Sequence, residues 1–327
     1  MSPRRRNRVV ALGAVGLGAG VAAAAAYRNS QRHRDLELDM TELALADELE
    51  HHTITVDDGS TIHAVEDGTG RPIVLLHGVT LSIETWPYQL AALSKEYRVI
   101  AVDARGHGLS KSTSRGWGIE RMASDTVQLL AQLDLRDAIV VGHSMGGMIT
   151  QQMVLDFPDV ARDRIAGTIL LSTGAAPGEG VPGFKMMNRF IKPGAVAAAL
   201  TARRAKSWMP QGETGYAMAR LALGAKADPR FVTHTLNMTS ALDPSTMTSL
   251  LPHVVGFEVR HRLKDYPVPA LVIVGSRDLL TPPRVGRALA KGIPGAEFEV
   301  VPGAGHMLMM ERADWLNERI DRFARDH

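Results

Sequence analysis

The sequence contains no cysteine among its 327 residues. This excludes disulfides and thiolate metal sites, because both require cysteine sulfur. It also leaves the redox compartment unassigned, since thiol usage is the usual indicator. A chain of this length nevertheless buries one sizeable hydrophobic core, with room for an insertion beside a single catalytic domain.

Motifs that would indicate a metal or nucleotide cofactor are missing as well. The 12 histidines form no HExxH pattern and no ligand-like pair on a helix. No GxxxxGK(S/T) phosphate-binding loop occurs. The sequence therefore implies no metal and no cofactor.

The chain has little net charge, and its charges are unevenly distributed. The 37 Lys and Arg residues against 35 Asp and Glu residues give a net charge of +2. The first 34 residues hold seven arginines and no acidic residue, which leaves 30 basic and 35 acidic residues in the remainder. This mildly acidic body argues against a nucleic-acid-binding surface.

Residues 1–34 are typical of a membrane-targeting segment. Arginines flank an uncharged run from Val9 to Tyr27, which as a helix would extend about 28 Å, close to the hydrocarbon thickness of a bilayer. The run is mostly Ala and Gly, and Ala22–Ala26 offers small residues for a cleavage site. We expect the protein to be membrane-associated or exported, with a membrane anchor and a cleaved signal both open. Residues 35–50 are predicted to be a linker.

The segment Gly142–Gly146, GHSMG, follows an apolar run and precedes a helix-like stretch. This GxSxG spacing is typical of a nucleophile elbow, a sharp turn from strand to helix that exposes a serine beside a base. The turn strains the serine backbone and crowds its neighbours, so only glycine fits two positions away on either side. We therefore predict that Ser144 is a catalytic nucleophile.

Pro72–Leu76 has the pattern of a short buried strand and is followed by His77-Gly78-Val79. The glycine allows a sharp turn beneath the predicted elbow, where an oxyanion hole belongs. We predict that the backbone N–H groups of Val79 and Met145 donate to the oxygen that becomes negative when an ester carbonyl is attacked.

Two later strands are each followed by a titratable residue. Ala270–Val274 precedes Asp278, and Phe298–Val301 precedes His306 in a glycine-rich loop. We predict that His306 takes the proton from the serine and returns it to the leaving group. Asp278 would fix the imidazole tautomer and stabilise its charged form. The three catalytic residues then follow the chain order serine, acid, histidine.

With these residues the sequence resembles the α/β-hydrolase family from about residue 50 to residue 326. The family's triad has the same chain order, and the segment Asp103–Ser110, DARGHGLS, strengthens the likeness. The family's other acid position follows the preceding sheet strand, here Ile165–Leu171. The residues at 172–174, STG, include no carboxylate, which favours Asp278.

Three further histidines lie inside these motifs: His77, His107 and His143. We expect them to shape loops by hydrogen bonding and assign them no catalytic role.

The resemblance implies an α/β fold with a mostly parallel central sheet flanked by helices. Strand patterns alternate with helical periodicity after residue 51, which agrees with a parallel sheet. We predict an α/β-hydrolase core over residues 51–173 and 268–327, with an antiparallel hairpin at its start. Residues 174–267 lack the strand rhythm and are rich in methionine, which predicts an inserted helical cap.

The residue at the nucleophile position narrows the reaction. Haloalkane dehalogenases and epoxide hydrolases share the HGxxxxxxxW and DxRGxGxS patterns but have an aspartate where Ser144 stands, so those activities are disfavoured. Serine with histidine and aspartate fits acyl transfer through an acyl-enzyme. The GHSMGG run resembles monoacylglycerol lipases and short-chain esterases. We therefore expect a carboxylesterase or lipase acting on small-molecule, lipid-like esters with an apolar acyl chain.

The same fold and triad also serve carbon–carbon bond hydrolases, cofactor-free perhydrolases and acyltransferases, so the substrate stays open. A catalytically silent ligand-binding protein is a further alternative. It is disfavoured because such proteins typically lose a triad member or crowd the elbow, whereas every position is filled here.

Overall fold

A computed structural model of the protein describes residues 39–113, 116–176 and 212–327. The described strands are β1 (Glu50–Thr55), β2 (Thr61–Asp67), β3 (Pro72–Leu76), β4 (Arg98–Val102), β5 (Ala138–His143), β6 (Ile165–Leu171), β7 (Ala270–Gly275) and β8 (Glu297–Val301). They form an eight-stranded sheet in the order β1-β2-β4-β3-β5-β6-β7-β8. The β1–β2 and β2–β4 pairs are antiparallel and the others are parallel, which confirms the predicted sheet and its antiparallel edge.

Helices connect and cover these strands. They are α1 (Pro87–Leu93), α2 (Ile119–Gln132), α3 (Met145–Asp156), α4 (Pro158–Arg164), α5 (Gly212–Arg220), α6 (Pro229–Ala241), α7 (Pro244–Gly256), α8 (Pro283–Gly292), α9 (Leu308–Glu311) and α10 (Ala313–Asp326). Proline stands at the start of five of them, namely α1, α4, α6, α7 and α8. Because a helix leaves its first N–H groups without intrahelical partners, proline costs no hydrogen bond there.

The central strand β3 shows why the sheet positions the site. Ile73 and Leu75 pack into the apolar cluster on one face of the sheet, and Val74 and Leu76 pack into the cluster on the other. All four side chains are buried, as expected for a parallel strand covered on both faces. The register pairs Leu76 with Gly142. The segment after β3 therefore leaves the sheet next to the GHSMG turn.

The DARGHGLS segment after β4 has a structural role. The Asp103 carboxylate accepts hydrogen bonds from the amides of Ile83 (2.9 Å) and Leu109 (3.0 Å), so it ties its own loop to the segment that follows β3. Arg105 is fully buried and pairs with Asp58 and Asp125. The Asp103 bond to Ile83 therefore holds the segment after β3, and the Arg105 pairs tie the DARGHGLS loop to the β1–β2 turn and to α2.

The predicted cap, residues 174–267, is described only in part, because 177–211 lie outside the described residues. Its described portion contains α5, α6 and α7. The His234 ring on α6 hydrogen-bonds the carbonyl of Glu84 (2.7 Å), and the Thr239 and Thr80 hydroxyls are 3.3 Å apart. The insertion thus contacts the segment after β3, and its role as a cap stays a prediction.

The run Val9–Tyr27 lies outside the described residues, as does the first part of the predicted linker. Within the residues that are described, no helix combines the length and the apolar character needed to cross a bilayer. The described end of the linker is docked on the body: Leu43 is buried in the same apolar cluster as Trp86, and Glu42 pairs with Arg230.

Candidate active site

Ser144 lies between β5 and α3 with φ 53° and ψ −112°. This backbone conformation is sparsely populated by residues other than glycine and persists only where its surroundings hold it. The Ser144 N–H donates to the carbonyl of Leu171 at the end of β6 (2.9 Å), and its carbonyl accepts from Met148 (3.2 Å) and the Thr173 hydroxyl (2.8 Å). The strained turn expected of a nucleophile elbow is therefore present at this serine.

Glycine is required at positions 142 and 146 for two different steric reasons. A Cβ on Gly142 would lie 2.5 Å from the carbonyl oxygen of Gly146, so the two glycines crowd each other across the turn as predicted. A Cβ on Gly146 would instead overlap the backbone carbonyl of Leu76. The second constraint comes from β3, which the local spacing of the motif does not reveal.

Asp278 and His306 are brought together as expected. The Nδ1 atom of His306 lies 2.8 Å from Oδ2 of Asp278. Burial alone would raise the pKa of Asp278, but the charge and hydrogen bond of His306 outweigh it and leave that pKa below its usual value. An ionised carboxylate only accepts hydrogen bonds, so His306 carries its proton on Nδ1 and leaves Nε2 as a base.

Thr281 completes the surroundings of this carboxylate and was not identified from the sequence. Its hydroxyl donates to Oδ2 of Asp278 (2.7 Å), and its amide donates to Oδ1 (2.8 Å) alongside the amide of Leu280 (2.9 Å). A threonine three residues after an aspartate at a strand end is the only local signal for this contact. These bonds fix the carboxylate in the orientation that faces His306.

His143 links the elbow to the histidine loop. Its Nε2 atom lies 3.0 Å from the backbone carbonyl of His306, and the two rings are 4.8 Å apart. Burial and the neighbouring His306 hold the pKa of His143 well below its ordinary value. His143 is therefore a neutral donor to the His306 backbone.

His77 and His107 also bond to backbone groups. His77 accepts from the Ala104 amide (2.9 Å), and its pKa is lowered by burial. His107 accepts from the Thr80 amide (3.3 Å), and burial lowers its pKa to about 3. These contacts agree with the expectation that the motif histidines shape loops.

The predicted oxyanion-hole segment abuts the elbow. A Cβ on Gly78 would lie 3.2 Å from Cβ of Ser144, so the turn after β3 lies directly against Ser144. Met145 is the first residue of α3, where a backbone N–H has no intrahelical acceptor. The donor roles of Val79 and Met145 stay predictions.

A cleft of about 960 Å³ lies beside this site, between the segments 81–84 and 103–112 and the α6–α7 junction. Its walls include Leu81, Trp117 and Met238. Neither the serine nor the aspartate–histidine pair lines it, so we assign the cleft no catalytic part.

One group of described side chains has the geometry to approach a cation, namely Glu50, His52 and Glu66 on the edge hairpin. Both carboxylate oxygens of Glu66 already bond to Arg98, at 2.6 and 2.9 Å. A cation would have to displace this guanidinium, so the donor set does not fit a metal site.

A family model described as the alpha/beta hydrolase fold matches residues 71–313. The chain belongs to the α/β-hydrolase family. This confirms the fold class and the family resemblance. The narrower likeness of the GHSMGG run to monoacylglycerol lipases stays a prediction.

Individual relatives carry several names. The chain is 32% identical over 267 residues to the dihydrolipoyllysine-residue acetyltransferase component of the acetoin cleaving system of Pseudomonas putida, covering 79% of this chain and 64% of that protein. It is 29% identical to a non-heme haloperoxidase of Rhodococcus erythropolis, covering 81% of this chain and 96% of that protein. A thermophilic esterase from Thermogutta terrifontis matches with a TM-score of 0.70 and 26% identity, over 85% of this chain and 98% of that chain. The protein is thus a hydrolase of the α/β fold with esterase neighbours.

We expect Gly146→Ala to destabilise the protein by more than about 3 kcal/mol, at the upper end of overpacking effects, because the added methyl meets the β3 backbone rather than a movable side chain. The measurement is the urea midpoint of the full chain. Gly256→Ala is the control, since a Cβ there meets nothing within 4 Å. Equal midpoints for the two variants would contradict the steric account of the elbow.

Proposed function

We propose that this hydrolase cleaves carboxylic esters through an acyl-enzyme formed on Ser144. The observation that supports this most directly is a strained serine at the start of α3 combined with the 2.8 Å His306–Asp278 contact. Acyl transfer needs an exposed serine beside an imidazole whose tautomer is fixed by a carboxylate. The esterase neighbour of similar length supports the same reaction class.

The proposed reaction has two halves. In the first, Nε2 of His306 takes the Ser144 proton as Oγ attacks the ester carbonyl, and the resulting oxyanion accepts hydrogen bonds from the amides of Val79 and Met145. The intermediate collapses, and His306 protonates the departing alcohol. In the second half His306 deprotonates a water, which attacks the acyl carbonyl, releases the carboxylic acid and restores the serine hydroxyl.

We propose an ester with an apolar acyl group as substrate. Leu279 and Leu280 directly follow Asp278 and are 63% and 52% exposed. Leu221 is 49% exposed and precedes Ala222, whose carbonyl accepts a hydrogen bond from the His306 amide. Apolar side chains gathered near a polar site favour an apolar ligand. The methionine content of the predicted cap supports the same preference, because methionine adapts to chains of varied shape.

We expect the full chain, kept in mild detergent, to hydrolyse p-nitrophenyl esters from acetate to palmitate, with an optimum at medium or long chains. Ser144→Ala should lower kcat by a factor on the order of 10⁶. Asp278→Asn should lower it by a factor on the order of 10⁴, because the amide favours the wrong imidazole tautomer.

Asp265→Asn is the matched control for the aspartate, since Asp265 is an exposed residue outside the site. It should leave the rates unchanged. Hydrolysis that survives in Ser144→Ala would overturn the acyl-enzyme proposal, and a sharp optimum at acetate would overturn the apolar substrate.

A second candidate is perhydrolysis, which the haloperoxidase relatives favour. Hydrogen peroxide would attack the acyl-enzyme in place of water and release a peracid together with the restored serine. The test adds acetate, hydrogen peroxide and bromide and follows bromination of monochlorodimedone. Bromination that depends on Ser144 and exceeds ester turnover would favour this candidate, and none at all would remove it.

We also propose that the run Val9–Tyr27 brings the enzyme to the membrane or exports it. The support is its length and apolar character between arginine-rich flanks. We expect the tagged full chain to sediment with membranes and resist carbonate extraction if it is anchored, or to lose its first residues by mass if the segment is cleaved. A full-length chain in the soluble fraction would contradict both.

A further inference from the structure

Glu311 is a buried acid that the proposed reaction does not use. It is the last residue of α9, five positions after His306. Its Oε1 atom accepts a hydrogen bond from the Gly305 amide (3.0 Å), and its Oε2 atom accepts one from the Gly224 amide (2.7 Å). One carboxylate therefore bridges the histidine loop and the segment that follows α5.

A second contact joins the same two segments. The backbone N–H of His306 donates to the carbonyl of Ala222 (2.8 Å). The Met307 amide also stabilises the Glu311 charge, so Glu311 interacts with the amides on both sides of the histidine. The position of the His306 backbone thus depends on residues 222–224 of the insertion.

Glycine makes this close approach sterically possible. A Cβ on Gly305 would overlap the backbone of Leu223 and Gly224. A Cβ on Gly224 would lie 2.7 Å from Oε2 of Glu311 and would overlap the carbonyl of Gly303. Side chains at either position would push the two segments apart.

The energetics favour a functional reason for this acid. Burial raises the pKa of Glu311, and the amide hydrogen bonds offset that effect only in part. A carboxyl whose folded pKa lies above its unfolded value stabilises the fold below the unfolded pKa and loses that contribution as the pH rises. Ionised Glu311 is therefore less favourable to the fold than protonated Glu311, so its charge is not explained by folding stability.

We propose that Glu311 is a positioning residue, which holds the His306 loop against residues 222–224 of the insertion and so sets the distance of the imidazole from Ser144. This rests on the proposed function of Ser144 and His306. The insertion would then influence the rate of the chemical step as well as substrate selection.

The test compares Glu311→Gln with Glu318→Gln in the full chain. The Gly305 and Gly224 amides bond different carboxylate oxygens, and glutamine replaces one of those oxygens with an NH2 group that cannot accept, so one of the two amides loses its acceptor. We expect kcat to fall about tenfold or more through misplacement of the histidine, with KM little changed and the thermal midpoint retained. Glu318 is exposed on α10, and its variant should match the wild type.

Two further measurements separate positioning from general damage. Backbone hydrogen exchange should speed up at Gly224 and Gly305 in Glu311→Gln and not in Glu318→Gln. Gly224→Ala should lower kcat as well. The double variant with Glu311→Gln should lower kcat by less than the product of the two single fold-changes, because both substitutions disrupt the same contact. Unchanged exchange, or faster exchange with unchanged kcat, would overturn the proposal.

A fluorophosphonate probe distinguishes this proposal from the ester proposal, because it reports the reactivity of Ser144 without an ester. If the wild type reacts with the probe but hydrolyses no ester, the ester proposal fails, and the labelling rate of Glu311→Gln still decides the positioning role. If Ser144 does not react at all, both proposals are overturned.

Discussion

The close approach of β3 to the GHSMG turn is the constraint on which the site depends. The parallel register sets Leu76 beside Gly142, and the Leu76 carbonyl occupies the space that a side chain at Gly146 would need. The helix α3 packs tightly against β3, and the turn from β5 into this helix passes through the strained backbone of Ser144. Strain of this kind costs on the order of 1–3 kcal/mol and requires a well-packed surrounding sheet.

The histidine is held in a different way, by bonds from three separate parts of the chain. Asp278 bonds the ring, His143 bonds the backbone carbonyl, and Ala222 accepts from the backbone amide. Asp278, which follows β7, therefore fixes the tautomer of the ring. His143 at the end of β5 and Ala222 in the insertion fix the position of the His306 backbone. The placement of the imidazole therefore depends on three segments of the chain together.

The sequence was sufficient to predict the fold and the aspartate–histidine pairing because those signals are local. A serine between spaced glycines and a histidine after a strand are visible within a few residues, and the parallel order brings strand ends to one edge. Ala222 and Glu311 were not predictable as site neighbours, since their contacts depend on how segments distant in sequence meet. Thr281 had only a weak local signal, its position three residues after Asp278. The GxSxG motif likewise explains only part of the need for glycine at position 146, because the backbone carbonyl that excludes a side chain there belongs to Leu76 on β3.

The sheet and the insertion contribute different parts of the site. The strand ends of the sheet carry the serine, acid and histidine, whereas the insertion supplies the Ala222 carbonyl to the His306 amide and the Gly224 amide to the Glu311 carboxylate. A change in the insertion that moves residues 222–224 would also move the backbone of His306. The two contacts therefore link the insertion to the position of His306, and a different insertion would keep that position only if it preserved both of them.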